Sequence, residues 1–252
     1  MSEVVTIEWS YTPVDFFEEP FEHSEDNYLA KFENGRVVTT LSNGAGGQAE
    51  ILCPQIEAEL DRMFLGAQQI NNRKYQFSGH TIVRTRPGER NAEISVSMNA
   101  DMYVTTDPVD VLTRDAAGNV TCDTKGERIK AQSDSAHRAV KHGKDPTLAA
   151  LLKSYNAAMS DSQNEFVHLY EIRDALGKKF GGESQALTSL GIDKKPWNKL
   201  GKLANDAPLK QGRHRGRTAA QLRGATEEEL KEGRQIAKAM IRAYQDYLER
   251  NG

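Results

Sequence analysis

The pattern of apolar residues changes near the middle of the chain, and this change limits the fold more than any other feature. Before residue 125, β-branched and aromatic residues form short runs that are typical of strands. These runs lie at residues 4–9, 28–32, 37–41, 75–86, 92–98 and 102–106. Asn34-Gly35 and Pro87-Gly88 predict turns between strands. One amphipathic helix is expected at residues 54–70, so residues 1–125 are predicted to form a β-rich α+β domain.

After residue 145 the apolar residues recur at helical spacing. Asp145-Pro146 supplies an N-cap and a first-turn proline for a first helix, and Thr226 with Glu229 forms a capping-box pair before a long last helix. Three further helices are expected, at residues 163–176, 184–190 and 196–204. Residues 145–252 are therefore predicted to form a helical bundle.

The polar residues 126–144 connect the two halves. They show little apolar patterning, which suits either a linker or a solvent-facing connecting helix. The predicted fold class is α+β, with a β-rich domain, this connector and a helical domain in that order.

Charge is distributed unevenly along the chain. Residues 1–60 carry 12 acidic and 2 basic side chains, whereas the remainder carries 24 acidic and 31 basic ones. The basic excess is concentrated in residues 192–223, here called the basic segment. Its nine basic residues are Lys194, Lys195, Lys199, Lys202, Lys210, Arg213, Arg215, Arg217 and Arg223. Only Asp193 and Asp206 oppose them, so the segment is expected to attract phosphate groups, although a solvated surface loop has the same composition.

Several classes of protein are excluded or disfavoured by composition. A net charge of −3 excludes a histone-like polycation. No window contains the roughly eighteen apolar residues of a membrane-spanning helix, and the N-terminus lacks the features of a signal peptide, so a cytoplasmic protein is expected. Cys53 and Cys122 are too few for a disulfide framework or a zinc cage and are expected to be small apolar residues. Neither a metal site nor a cofactor is predicted.

The acidic run at residues 18–26 is expected to be a solvated loop. A bound cation is the alternative interpretation, because carboxylate oxygens are ligands for hard cations.

Arg173 lies on the apolar side of the predicted helix at residues 163–176. A guanidinium group in that position is costly unless it is paired or reaches the edge of the apolar surface. It is therefore expected either to form an ion pair within the bundle or to point into a cleft that receives an anion.

Arg213 and His214 lie in a glycine-bracketed part of the basic segment, after Asn205 at the end of a predicted helix. Histidine is a general acid or base near neutral pH, and a guanidinium group can bind a phosphate through two hydrogen bonds. Together they predict RNA cleavage without a metal, in which the histidine removes the ribose 2′-hydroxyl proton and the arginine stabilises the phosphate. The alternative is a surface histidine without a catalytic role.

The last hundred or so residues resemble the HEPN-like domains of bacterial abortive-infection and phage-defence proteins. The resemblance is carried by LYEIRDAL at 169–176, WNKLGKLAND at 197–206, GRH at 212–214 and the long closing helix. HEPN ribonucleases are helical bundles with an arginine and a histidine separated by about four to six residues, usually completed by dimerisation. Only Arg73 and His80, in the β-rich half, have this spacing here. The resemblance implies Arg213 and His214 as the nearest counterparts, with Asn205 and Arg173 as helpers.

Two functions follow from these observations. The first is an RNA-contacting protein of defence or toxin type that cleaves RNA at Arg213 and His214 with the help of Arg173 and Asn205. The second is a non-catalytic adaptor whose basic segment docks onto nucleic acid or onto an acidic protein, including a second copy of the chain. The residues predicted to bind nucleic acid are Lys199, Lys202, Lys210, Arg215, Arg217 and Arg223.

Overall fold

The computed structural model describes residues 3–85, 110–115, 117–215 and 221–251. The strands predicted at 92–98 and 102–106, the Pro87-Gly88 turn and Arg217 lie outside these residues. The chain divides into two compact units, and the division falls between Ala136 and His137. The first unit contains an antiparallel sheet and the second is helical, which confirms the predicted α+β class.

In the described part of the first unit, five strands form an antiparallel sheet. Its strands are β1 (Val4–Thr12), β2 (Phe21–Glu25), β3 (Tyr28–Glu33), β4 (Arg36–Leu41) and β5 (Gln76–Thr85), in the order β2-β3-β4-β1-β5. Asn34 and Gly35 have φ angles of 50° and 77°, as a tight two-residue turn between β3 and β4 requires. The hairpin predicted from Asn34-Gly35 is confirmed.

The acidic run at residues 18–26 is not a solvated loop, because it contains strand β2. The Phe21 ring stacks on the Phe32 ring of β3 with 4.2 Å between their centroids. Upstream of the strand, Glu18 forms an ion pair with Arg128. The loop prediction was wrong because an aromatic contact with the neighbouring strand and a partner for Glu18 outweigh the local acidic composition.

Helix α1 (Ala49–Asn71) packs on one face of the sheet. Alternate residues of β1 turn towards it, and the Tyr11 ring lies 5.2 Å from the Phe64 ring of the helix. The helix begins five residues before the predicted start at Pro54, directly after a 3-10 turn at Gly46–Gln48. Proline lacks an amide hydrogen and therefore signals a first turn, but here it lies inside the helix.

A hairpin of β6 (Leu112–Arg114) and β7 (Val120–Asp123) precedes helix α2 (Thr124–Lys141), which covers most of the predicted connector. This helix is not purely solvent-facing. The buried side chains of Gln132 and Ser135 donate hydrogen bonds of 2.8 Å to the carbonyl oxygens of Phe16 and Gly66, respectively. The polar composition therefore reflects buried hydrogen bonds as well as solvation.

Among its described residues, the body of the second unit contains five helices. They are α3 (Pro146–Ser160), α4 (Glu165–Lys179), α5 (Glu183–Leu190), α6 (Lys194–Gly201) and α7 (Glu227–Asn251). Helix α4 packs against the other four and buries Phe166, Leu169, Ile172 and Leu176. The part of the chain that the structure describes has no helix long and apolar enough to cross a bilayer.

Both predicted caps are present. The Asp145 side chain accepts a hydrogen bond of 2.7 Å from the amide of Leu148. Thr226 and Glu229 exchange the two bonds of a capping box, at 2.9 and 3.2 Å.

Candidate functional site

The loop that carries Arg213 and His214 is held against the end of helix α6. This helix continues into a π-helical turn, Lys202–Asp206, and the Arg213 amide donates a hydrogen bond of 2.7 Å to the carbonyl oxygen of Ala204. A Cβ atom at Gly212 would lie only 3.0 Å from the same oxygen, so the glycine permits the close approach. The turn therefore fixes the backbone position of Arg213.

Tyr170 brings the two predicted site arginines together. The guanidinium carbon of Arg213 lies 4.3 Å from the centre of the Tyr170 ring, and that of Arg173 lies 5.1 Å from it. Arg173 also donates a hydrogen bond of 2.8 Å to the Tyr170 hydroxyl. The cation–π contact of Arg213 orients its guanidinium group without using its N–H groups, which can therefore bind an anion.

Arg173 forms an ion pair within the bundle, as the first of the two interpretations from the sequence expects, and it also lines a cavity. Its Nη2 atom lies 3.0 Å from Oε2 of Glu183, and the same oxygen accepts a bond of 3.0 Å from the Trp197 indole. The open cavity has a volume of about 370 Å³. It is lined by Arg173, Asp174, Gly177, Lys178, Gly181, Gly182, Glu183 and Trp197.

Two buried polar atoms of the predicted site residues lack a hydrogen-bond partner among the described residues. They are Nε of Arg173 and Oδ1 of Asn205, which lies in the π-helical turn. Buried polar atoms are nearly always satisfied, by water where the protein supplies no partner. A ligand group at either position would gain a donor or an acceptor.

Three other basic residues of the segment form contacts that stabilise the fold. Lys199 lies 3.0 Å from Glu232 of α7, and Arg223 forms two bonds of 2.7 Å with Glu229. Arg215 donates to the Gly212 carbonyl oxygen at 2.9 Å and to that of Gln163 at 3.0 Å. These contacts pair Lys199 and Arg223 with carboxylates and hold Arg215 against backbone carbonyl oxygens within the second unit.

The remaining described members of the predicted set are exposed: Lys202, Lys210, Arg213 and His214. None of the four forms an ion pair with a carboxylate in the described ranges. We call them the exposed basic group. Charges of this kind are available to a polyanion without first breaking a contact inside the chain.

His214 lacks the partners that a general base uses. Neither a hydrogen bond nor an ion pair orients its imidazole among the residues placed by the structure. Arg73 and His80, which have the HEPN-like spacing, pair with different carboxylates. Arg73 lies 2.6 Å from Asp15, and His80 lies 3.7 Å from Glu57.

Tyr170 and Glu183 were missed as site residues. Tyr170 lies three residues before Arg173, and a pair at that spacing on a helix shares one face, so this half of the contact had a sequence signal. The sequence carries no local signal for the contact between Tyr170 and Arg213, or for the contact between Glu183 and Arg173. Both contacts depend on how the helices pack.

Comparisons of the chain with protein-family models, with curated proteins and with solved structures give no match.

Proposed function

We propose that this chain binds RNA through the exposed basic group, acting in the cytoplasm. The observation that carries the proposal is the arrangement around Tyr170, which orients Arg213 while leaving it exposed and without a carboxylate partner among the described residues. Arg173 lies on the same ring, and its pair with Glu183 holds a second guanidinium group there. An oriented, unpaired cation beside an aromatic ring suits a phosphate backbone with unstacked bases.

The predicted nucleic-acid-binding set divides under this proposal into two groups. Lys202 and Lys210 contact the polyanion together with Arg213 of the predicted catalytic set, whereas Lys199, Arg215 and Arg223 keep the loop and the start of α7 in place. Arg217, the remaining member, lies outside the described residues. Substitutions in the first group change affinity directly. Those in the second act through the fold.

Cleavage is a separate part of the proposal. It derives from the resemblance to HEPN-like domains of defence proteins and from the exposed His214 beside Arg213. The histidine would remove the 2′-hydroxyl proton, the 2′-oxygen would bond to phosphorus, and the bond from phosphorus to the 5′-oxygen would break, with the leaving oxygen protonated by water. Arg213 would stabilise the charged phosphate. This mechanism requires RNA or a second copy of the chain to orient the imidazole.

Binding is tested with labelled single-stranded RNA and the full chain in EDTA, at several salt concentrations. Loss of one phosphate contact in Arg213→Ala is expected to reduce the slope of log affinity against log salt by about 0.7. Lys153→Ala, which removes an exposed charge from α3, is the matched control and should leave the slope unchanged. Equal affinity and slope for wild type and Arg213→Ala would reject the proposed site.

Cleavage is tested in the same reactions. His214→Ala is expected to abolish RNA cutting and to change affinity little, because the imidazole acts on the reacting hydroxyl. A wild-type protein that binds but does not cut RNA would reject cleavage and favour the adaptor function. If the chain binds an acidic protein but no RNA, the result would favour the adaptor that docks onto an acidic protein.

A further inference from the structure

Three side chains with metal-binding chemistry meet in the first unit, where helix α1 covers strand β5. Cys53 and Glu57 are one helical turn apart on α1, so they lie on the same face of the helix. His80 lies on β5, opposite Trp9 of β1 in the strand register. The three residues are therefore positioned by regular secondary structure rather than by a loop.

The ligand atoms of these residues are close enough to share one ion. A sulfur, a carboxylate oxygen and an imidazole nitrogen all lie within 4.8 Å of one another. The Nδ1 atom of His80 lies 3.7 Å from Oε2 of Glu57, which is too long for a hydrogen bond. It is close to the separation of about 3.4 Å between two ligands of a tetrahedral zinc ion.

The sulfur side of this group is buried. Cys53 is 2% exposed, whereas Glu57 and His80 are 48% and 44% exposed, so the group opens to solvent on one side only.

We propose that Cys53, Glu57 and His80 bind a Zn²⁺ ion through a thiolate, a carboxylate and an imidazole. The thiol proton is released to solvent on binding, and the fourth tetrahedral position faces the open side, where water completes the coordination. Zinc suits this mixed set because it accepts sulfur, nitrogen and oxygen ligands in one tetrahedral site. The Trp9 indole donates to Glu57 Oε2 at 3.4 Å and orients the carboxylate, as outer partners of metal ligands commonly do.

The experiment is a calorimetric titration of the metal-free full chain with Zn²⁺, with Co²⁺ spectroscopy as a second measurement. Cys53→Ala is expected to weaken Zn²⁺ binding by at least about 100-fold, and Glu57→Gln and His80→Gln by at least about tenfold. Wild-type protein with Co²⁺ should show a thiolate-to-cobalt charge-transfer band that Cys53→Ala lacks. Cys122→Ser, which alters the other cysteine, is the control and should keep both the affinity and the band.

Equal Zn²⁺ affinity for wild type and the ligand variants, or a Co²⁺ spectrum without the thiolate band, would overturn the proposal. If Cys53→Ala fails to fold, Glu57→Gln and His80→Gln decide the question, because both side chains are about half exposed. RNA binding plays no part in these measurements, so their outcome is independent of the proposed function.

Discussion

Glu165 and Arg234 form the most buried ion pair of the second unit's described residues. The Glu165 side chain is 2% exposed, and Arg234 donates to its two oxygens at 2.7 and 2.9 Å. The pair connects the first turn of α4 to α7 with two parallel charge-assisted bonds. A buried ion pair stabilises a protein little more than an apolar pair of similar size would. Removing one partner is nevertheless costly, because the other charge stays buried without a partner.

Arg234→Ala is expected to lower the free energy of unfolding by about 3–5 kcal/mol, because the Glu165 carboxylate stays buried without its partner. The measurement is urea denaturation followed by circular dichroism. Arg242→Ala, which breaks the half-exposed pair with Asp246 on the same helix, is the control and should cost about 1 kcal/mol or less. If the two variants lose similar amounts of unfolding free energy, the Glu165 carboxylate does not depend on Arg234 in the way proposed.

At the scale of elements, the contact between α4 and α7 depends on a glycine. Gly233 lies inside α7, and a Cβ atom there would be 2.6 Å from Cε1 of the fully buried Phe166 ring. Glycine costs a helix about 1 kcal/mol relative to alanine, so its presence within α7 needs a packing reason. That reason is the close approach of the two helices.

Gly233→Ala is therefore expected to destabilise the protein by about 1–2 kcal/mol, since overpacking outweighs the gain in helix propensity. Gly177→Ala in α4 is the matched substitution, because its Cβ would make only an ordinary contact, 4.0 Å from Trp197. It should stabilise the protein by up to about 1 kcal/mol. Thermal denaturation of both variants measures the difference, and a stabilised Gly233→Ala protein would show that the helices are less tightly packed.

At the scale of the whole molecule, stability depends on carboxylates in both units that are ionised and paired. The hydrogen bond from Arg73 lowers the pKa of Asp15 in the first unit. In the second, hydrogen bonds from Arg223 lower the pKa of Glu229 to about 2, and those from Lys141 and His142 lower the pKa of Glu249 to about 2. Ionisation of these groups therefore favours the folded state.

The contribution of Glu229 should be complete above its ordinary pKa of 4.5 and should disappear as the pH falls towards about 2. We expect wild type to exceed Glu229→Gln in urea midpoint at pH 7, and this difference to shrink progressively between pH 4.5 and pH 2.5. Glu228→Gln, on the same turn but exposed, is the control. A difference that stays constant over this range would show that ionised Glu229 does not stabilise the fold.

The elements that could be predicted from the sequence are those with local signals. Asn34-Gly35 predicted its hairpin, Asp145 and the Thr226–Glu229 pair predicted their helix starts, and apolar spacing predicted the second unit's helices. Strand β2 was missed because its stability depends on Phe32 of the next strand. The start of α1 was misplaced because the signal from Pro54 gives a boundary only when proline occupies the first turn.

Sequence by itself determined the α+β class, the caps and the concentration of basic residues, because these depend on neighbours within about one helical turn or one hairpin. Only the tertiary structure decided which basic residues are paired with carboxylates, since Lys199 and Arg223 meet carboxylates of α7, whereas Arg213 meets the Tyr170 ring of α4. It also brought His80 to Cys53 and Glu57. These contacts join residues far apart in the chain, and their formation depends on the packing of whole elements, which local spacing does not specify.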